Sequence, residues 1–185
     1  MGSIPPDDGN CISGVLVRNV TFYSPMKAVY VKPNPAKPDS GATGEISNVT
    51  YEDMLVNEPV WWPLWFGTQQ QHQPGYNGTG CSFLYLLDNT TCPTDPQVTV
   101  ANITLRRILV LNGNSPGIIL GNASNPLRGL VFEDVVHVNS TGFPVGPNYL
   151  CTAATGVARG ATAPVPDCFM DETDAAVAVR GGRGV

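Results

Sequence analysis

The sequence predicts an all-β protein built as a β-solenoid, in which each coil packs against its neighbours along a stack. Of its 185 residues, 42% are hydrophobic and 14% are charged, a balance too apolar for a disordered chain. The 20 glycines and 17 prolines are too many for a helical bundle and indicate frequent turns. The third observation is an internal repeat of short alternating segments, which predicts a stack of similar units.

The repeat is a six-residue template that reads apolar, any residue, Asn or Gly, apolar, any residue, apolar. Its four copies are Val17–Phe22, Ile46–Tyr51, Val100–Leu105 and Leu127–Phe132. Their spacings are 29, 54 and 27 residues, so the middle interval holds either one extra irregular coil or one long insertion. Strand, turn and strand at a period in the high twenties is typical of a β-solenoid, and we expect four to six coils.

Each template copy alternates like a strand and precedes a second β-like run after a turn. The predicted second runs are Ala28–Val31, Val60–Phe66, Gly117–Leu120 and Phe143–Val145. The third template position holds only Asn or Gly, the residues that most readily adopt a left-handed backbone. Bends are therefore expected at Asn19, Asn48, Asn102 and Gly129.

Seven Asn-x-Ser/Thr triplets occur in the chain, a density expected of a surface that meets the glycosylation machinery. Three of them fall on the bend position of the template, where asparagine already has a structural explanation. The other four fall in predicted loops, and we interpret them as glycosylation sites: Asn77, Asn89, Asn122 and Asn139.

Two pairs of neighbouring carboxylates, Glu52-Asp53 and Glu133-Asp134, have the composition of an acid and base pair. Both follow the last apolar residue of the template, where the other copies carry Tyr23-Ser24 and Arg106-Arg107. A position filled in turn by acids, bases and hydroxyls is expected on a solvated outer face. We therefore predict a structural role for both pairs.

A long insertion, about residues 59–97, interrupts the repeat and contains Trp61, Trp62 and Trp65. Exposed tryptophans stack on the C–H faces of sugar rings, so these three are candidate carbohydrate contacts. The alternative is that they cover the open flank of the solenoid.

The cysteines group by spacing into Cys81–Cys92 and Cys151–Cys168, each closing a short loop in an oxidising compartment. Cys11 is left over, as a free thiol, an intermolecular bridge or the partner of a cysteine outside the sequence. Disulfides and triplets together predict secretion, with a signal peptide upstream of Met1. Residues 151–185 lack the template, and we expect a loop held by the second disulfide and disorder beyond Cys168.

Charge and hydropathy argue against other functional classes. The formal charge of -5, with no basic cluster beyond Arg106-Arg107, makes a nucleic-acid platform improbable. No apolar run approaches the roughly 20 residues of a membrane span. His72 and His137 lack a second ligand at metal spacing, so neither a metal nor another cofactor is predicted.

The start of the chain resembles the downstream half of polygalacturonase-type glycoside hydrolases (family 28), at Gly2-Ser3-Ile4, Val17–Phe22 and Ala28–Lys32. The resemblance covers roughly residues 1–150 and implies a right-handed parallel β-helix of the pectin-lyase type. Gly2-Ser3 resembles the G-S that follows the family's G-H-G motif, and Lys32 stands at the lysine of its R-I-K motif. This implies that Lys32 contacts the carboxylate of a uronate. Tyr30 stands where the arginine belongs and cannot supply a bidentate fork, but it remains a candidate contact.

The resemblance implies hydrolysis of α-1,4-linked galacturonan or a similar pectin, which the family performs with several aspartates. The motifs N-T-D and G-H-G are missing, and Asp7-Asp8 resembles D-D without a following G-H-G. We therefore expect this chain to be the C-terminal part of a larger secreted enzyme that is a monomer when whole. On its own, the chain is expected to bind polysaccharide, to contain no catalytic residue and to be inactive. The polar start through Cys11 predicts no cap for the strand edge of the first coil.

Two other functions stay open. One is a non-catalytic carbohydrate-binding or surface β-solenoid that uses the aromatic insertion as a stacking platform. The other is a lyase of the same fold, which needs a basic proton acceptor and usually a calcium site of clustered carboxylates. Neither of these lyase features is evident in the sequence.

Overall fold

The computed structural model describes residues 4, 9–33, 41, 43–67, 94, 96–143 and 146–169. Within these ranges there is no helix, and therefore none long and apolar enough to cross a membrane. The strands are β1 (Asn10–Tyr23), β2 (Val29–Val31), β3 (Gly44–Asn57), β4 (Leu64–Phe66), β5 (Val98–Leu111), β6 (Gly117–Leu120), β7 (Leu127–Val138), β8 (Leu150–Thr152) and β9 (Ala154–Arg159).

The strands form two parallel sheets, and successive strands along the chain alternate between them. The long sheet has the order β1-β3-β5-β7-β9, and the short sheet has the order β2-β4-β6-β8. One long strand and the short strand that follows it therefore make one repeat, and each repeat pairs with the next in both sheets. This arrangement confirms the predicted all-β class and is compatible with a parallel β-solenoid.

The long strands bend at residues with a left-handed backbone, which recur every five residues. In the first repeat these are Gly14, Asn19 and Ser24, with φ of 69°, 57° and 48°. Their in-register equivalents in the next repeats also have positive φ: Asn48, Asp53 and Glu58; Asn102, Arg107 and Asn112; Gly129, Asp134 and Asn139. The bends predicted at Asn19, Asn48, Asn102 and Gly129 are thus confirmed.

The pairing register corrects the first copy of the template. Ile46 pairs with Ile12, so Ile46–Tyr51 lies beside Ile12–Val17 and not beside Val17–Phe22. The template matched the later segment because its bend pattern occurs twice in β1, five residues apart. The 54-residue interval holds one long insertion, since β3 pairs directly with β5 at that offset.

The core lies between the two sheets and consists of apolar columns that run along the stack. Tyr51, Leu105 and Phe132 form one such column, in register and at most 4% exposed. The short strands complete the core with Val29, Val31, Leu64, Phe66 and Ile119. Because each column repeats an apolar side chain, each repeat buries the inner face of its neighbour.

The stack continues further toward the C-terminus than the template indicates. The fourth short strand is Leu150–Thr152, and β9 continues the long sheet where a loop was expected. Of the predicted run Phe143–Val145 the structure describes only Phe143, which lies outside the strands. The predicted disulfide Cys151–Cys168 is present, with its Cα atoms 5.8 Å apart. Several predictions lie outside the described residues: Gly2-Ser3, Asp7-Asp8, His72, Asn77, Asn89, Cys81–Cys92 and the tail from residue 170.

Candidate functional site

The candidate site lies on the outer face of the short sheet. The two-residue period of β2 directs Val29 and Val31 into the core, where both are fully buried, and leaves Tyr30 on the outer face. Tyr30 pairs in register with Trp65 of β4. Their rings meet edge to face, with 5.8 Å between centroids, so strand pairing itself builds an aromatic floor.

Two lysines lie over this floor. The ammonium nitrogen of Lys27 is 4.9 Å from the Tyr30 ring centroid and 4.7 Å from that of Trp65. The ammonium nitrogen of Lys32 is 4.9 Å from the same Tyr30 ring. All three distances are within the range of cation–π attraction, so the Tyr30 ring contacts two ammonium groups. We call Lys27, Tyr30, Lys32 and Trp65 the dilysine cluster.

Burial and mutual repulsion weaken the basicity of the dilysine cluster. Burial, and then the positive charge of Lys32, lower the pKa of Lys27 to about 8. Burial also lowers the pKa of Lys32. An anion bound beside the two ammonium groups would offset both effects, because its opposite charge favours the charged form of each lysine. The cluster is therefore suited to a carboxylate or another anion.

The dilysine cluster unites residues that the sequence indicated for unrelated reasons. Lys32 and Tyr30 came from the R-I-K resemblance, and Trp65 came from the aromatic insertion. Lys27 was missed, because it lies in the turn before β2, where no strand period predicts the direction of a side chain. Two cations near one aromatic residue within six positions were the available signal.

The tryptophans of the insertion do not form an exposed stacking platform. Trp62 and Trp65 are 1% and 0% exposed, so neither offers a ring face to a sugar. Trp61 is half-buried, and its ring centroid lies 5.5 Å from that of Trp62. These side chains pack with Ile118 and others against the outer face of the short sheet. This agrees with the alternative prediction that the tryptophans cover a flank of the solenoid.

The carboxylate pair Glu52-Asp53 lies on the outer face of the long sheet and forms ion pairs with arginines. Glu52 lies 3.7 Å from Arg106 and 3.5 Å from Arg107. Arg107 also donates two hydrogen bonds to Asp53, from Nε to Oδ1 at 2.6 Å and from Nη2 to Oδ2 at 2.9 Å. Because the Arg107 guanidinium lowers the pKa of Asp53, that carboxyl stays ionised and is a poor proton donor. This agrees with the predicted structural role.

The second carboxylate pair has the same character. Arg106 Nε lies 3.3 Å from Glu133, and Asp134 Oδ1 accepts a hydrogen bond from the backbone N–H of Ala161 at 2.8 Å. Among the described residues, no group of three or more His, Cys, Asp or Glu side chains could hold a metal ion.

His137 is half-buried at the edge of the core. It occupies the inward column position that Val110 holds one repeat earlier. Its Nε2 lies 2.8 Å from the hydroxyl of Tyr149, and burial lowers its pKa to about 4. Burial also raises the pKa of Tyr149. A neutral histidine bonded to a neutral tyrosine is a structural pair.

The asparagines of the triplets make short polar contacts. Asn122 Nδ2 donates to the backbone oxygen and to the hydroxyl of Thr94, both at 3.1 Å. Asn139 occupies a bend position and donates from Nδ2 to Asn112 Oδ1 at 3.2 Å. Glycosylation at Asn122 and Asn139 remains a prediction. Cys11 is exposed and forms no disulfide with either of the other described cysteines.

Comparison of the chain with protein-family models, with curated proteins and with solved structures finds no match. Its function is therefore inferred from the geometry of the described residues together with the motif resemblance.

Proposed function

We propose that this chain binds an anionic polysaccharide of the pectin type, and that the dilysine cluster holds a uronate carboxylate. The observation that carries the proposal is the position of Lys27 and Lys32, each 4.9 Å from the ring centroid of Tyr30. A galacturonan carries one carboxylate on every sugar, so it offers the charge that two neighbouring ammonium groups favour.

The proposed fold is a right-handed parallel β-helix of four to six coils with one long loop insertion. The two interleaved parallel sheets and the bends at five-residue spacing support it. In this proposal the chain is a secreted relative of polygalacturonases, and the Cys151–Cys168 disulfide fits an oxidising compartment.

Binding is favoured over hydrolysis by the placement of the carboxylates. An inverting glycosidase needs two carboxyl groups roughly 6.5–9.5 Å apart on either side of the scissile bond. The described pairs Glu52-Asp53 and Glu133-Asp134 lie on the long sheet and are bonded to arginines or backbone, away from the dilysine cluster on the short sheet. We therefore expect the chain to bind pectin without cleaving it.

Calorimetric titration with a galacturonate oligomer tests the site. Lys27→Ala and Lys32→Ala should each weaken binding about tenfold, the loss of one charge-assisted contact worth about 1.4 kcal/mol. Arg128→Ala is the control, because it removes an exposed positive charge from the long sheet. An equal loss of affinity in the control would show that binding depends only on the net charge of the chain. Unchanged binding in both lysine variants would show that the dilysine cluster is not the binding site.

A reducing-end assay separates the two functional candidates. A purely carbohydrate-binding solenoid releases no reducing ends from polygalacturonate at any protein concentration. Release that scales with the protein and survives Glu52→Gln and Glu133→Gln would show hydrolysis by groups other than the arginine-bound carboxylates.

A further inference from the structure

The first repeat is less well covered than the repeats that follow it. Ile12, Val15, Val17, Val20 and Phe22 of β1 point toward the core and are only half-buried. Their in-register partners in β3 are Ile46, Val49, Tyr51, Met54 and Val56, and none of these is more than 4% exposed. The difference arises because β1 is the edge strand of the long sheet and, among the described residues, pairs only with β3.

Charge alternates across the long sheet at one register position. Arg18, Glu52, Arg106, Glu133 and Arg159 lie side by side on the five long strands. Opposite charges on neighbouring strands stabilise that register, and like charges directly opposite destabilise it. Glu52 is bonded by Arg106 and Arg107, and Arg18 makes no ion pair with a described residue. Among the residues that the structure describes, this row of alternating charges therefore ends at β1 with Arg18, and no carboxylate lies beyond it.

We propose that the free edge of β1 binds a further parallel β-strand that carries a carboxylate in register with Arg18. Such a strand continues the alternation, because it places an acid beside the terminal arginine. Its apolar residues would cover the half-buried inner face of β1. A left-handed residue such as Asn, Gly or Asp would be needed beside Gly14 and beside Asn19, since the edge bends there.

A second copy of the chain stacked head to tail does not fit this edge. Its β9 would face β1, and β9 presents Arg159 at the register position of Arg18. Two arginines would then lie on adjacent strands, which is unfavourable. Basic residues at both edges of the long sheet oppose such self-stacking, a device that protects exposed sheet edges. The occupant is therefore a different, acidic segment.

A peptide with the sequence of residues 44–57 is a suitable probe. It is the strand that already pairs with the other side of β1, and it carries Glu52 opposite Arg18 together with Asn48 and Asp53 at the bends. The matched control is the same peptide with Glu52→Lys. Hydrogen exchange of the β1 amides in the 185-residue chain reports whether either peptide adds a strand.

We expect the unmodified peptide to slow exchange of the β1 amides and to bind about tenfold more tightly than the lysine peptide. Arg18→Glu in the chain should reverse this preference, and the preference should weaken at high salt. The proposal fails if the β1 amides that face away from β3 are protected before any peptide is added, because the edge is then already covered. It also fails if neither peptide protects β1, or if Arg18→Glu leaves the preference unchanged.

Discussion

Asn102 lies directly over Gly129 in the neighbouring strand, at the same bend position of the repeat. A β-carbon placed on Gly129 would come within 2.6 Å of Asn102 Oδ1. Asn102 in turn donates from Nδ2 to Asn48 Oδ1 at 3.4 Å, which extends the amide row along the stack. The bend position therefore requires a left-handed backbone, and at Gly129 an added β-carbon would also displace the exposed Asn102 amide.

Substitution of this glycine should be more costly than substitution of its counterpart in β1. Gly129→Ala should lower the free energy of unfolding by about 2–3 kcal/mol, from left-handed strain plus the clash with Asn102. Gly14 has φ of 69°, but a β-carbon added there would meet no atom within 4 Å, so Gly14→Ala should cost only about 1 kcal/mol. Urea unfolding measures both, and equal losses would contradict the packing argument.

Two buried hydroxyls should respond in opposite ways to removal. Thr162 donates to Phe132 O at 3.0 Å and accepts from Val135 N–H at 3.2 Å, so Thr162→Val should cost about 1–3 kcal/mol. Ser115 is 1% exposed, and its hydroxyl has no hydrogen-bond partner among the described residues. Ser115→Ala should therefore be neutral or raise stability by about 1 kcal/mol. A large loss on Ser115→Ala would show that its hydroxyl is bonded after all.

His137 should make stability depend on pH. The pKa of His137 is about 4 in the folded chain, against an ordinary value of 6.5. The unfolded chain therefore binds the extra proton between pH 6.5 and 4, and stability falls as the pH is lowered through that range. The free energy of unfolding should fall by up to about 3 kcal/mol over this range.

His137→Gln removes the titrating group and keeps an amide that can bond to Tyr149. The free energy of unfolding, measured at pH 7.5, 6, 5 and 4, should therefore fall further for the original chain than for the variant, because only the original chain loses this contribution. A constant difference between the two proteins at all four pH values would contradict the assignment.

How far the sequence predicts this structure depends on the element. The bends were predictable because only Asn and Gly fill the template position, and both tolerate a left-handed backbone. The register of β1 was not predictable, since the bend pattern occurs twice in that strand, at Gly14 and at Asn19. Strand β9 was also missed, because Ala154–Arg159 follows the template only through Ala158 and has Arg159 in place of the last apolar residue.

The site was only partly predictable for a similar reason. Tyr30 and Lys32 share a face through the two-residue period of a strand. Lys27 reaches the same ring from a turn, whose path depends on tertiary contacts. Burial of Trp62 and Trp65 likewise depends on packing, which composition alone does not reveal.

Binding of a uronate should weaken above pH 8 if Lys27 contributes its charge. The pKa of Lys27 is about 8, so its ammonium is present below that pH and lost above it. Affinity for a galacturonate oligomer should therefore fall between pH 7 and 9, while the sugar carboxylates stay ionised. Lys27→Arg keeps the charge and should flatten the profile. An identical pH profile in both proteins would exclude Lys27 as the titrating contact.

The most direct test of uronate binding compares one oligomer in two forms, free galacturonate and its fully methyl-esterified counterpart. Esterification removes the negative charge and leaves the sugar backbone in place. The dilysine cluster predicts at least tenfold tighter binding of the free acid at pH 7, and a much smaller difference for the variant with both Lys27→Ala and Lys32→Ala. Equal affinity for the two forms in the original chain would contradict carboxylate recognition by this site.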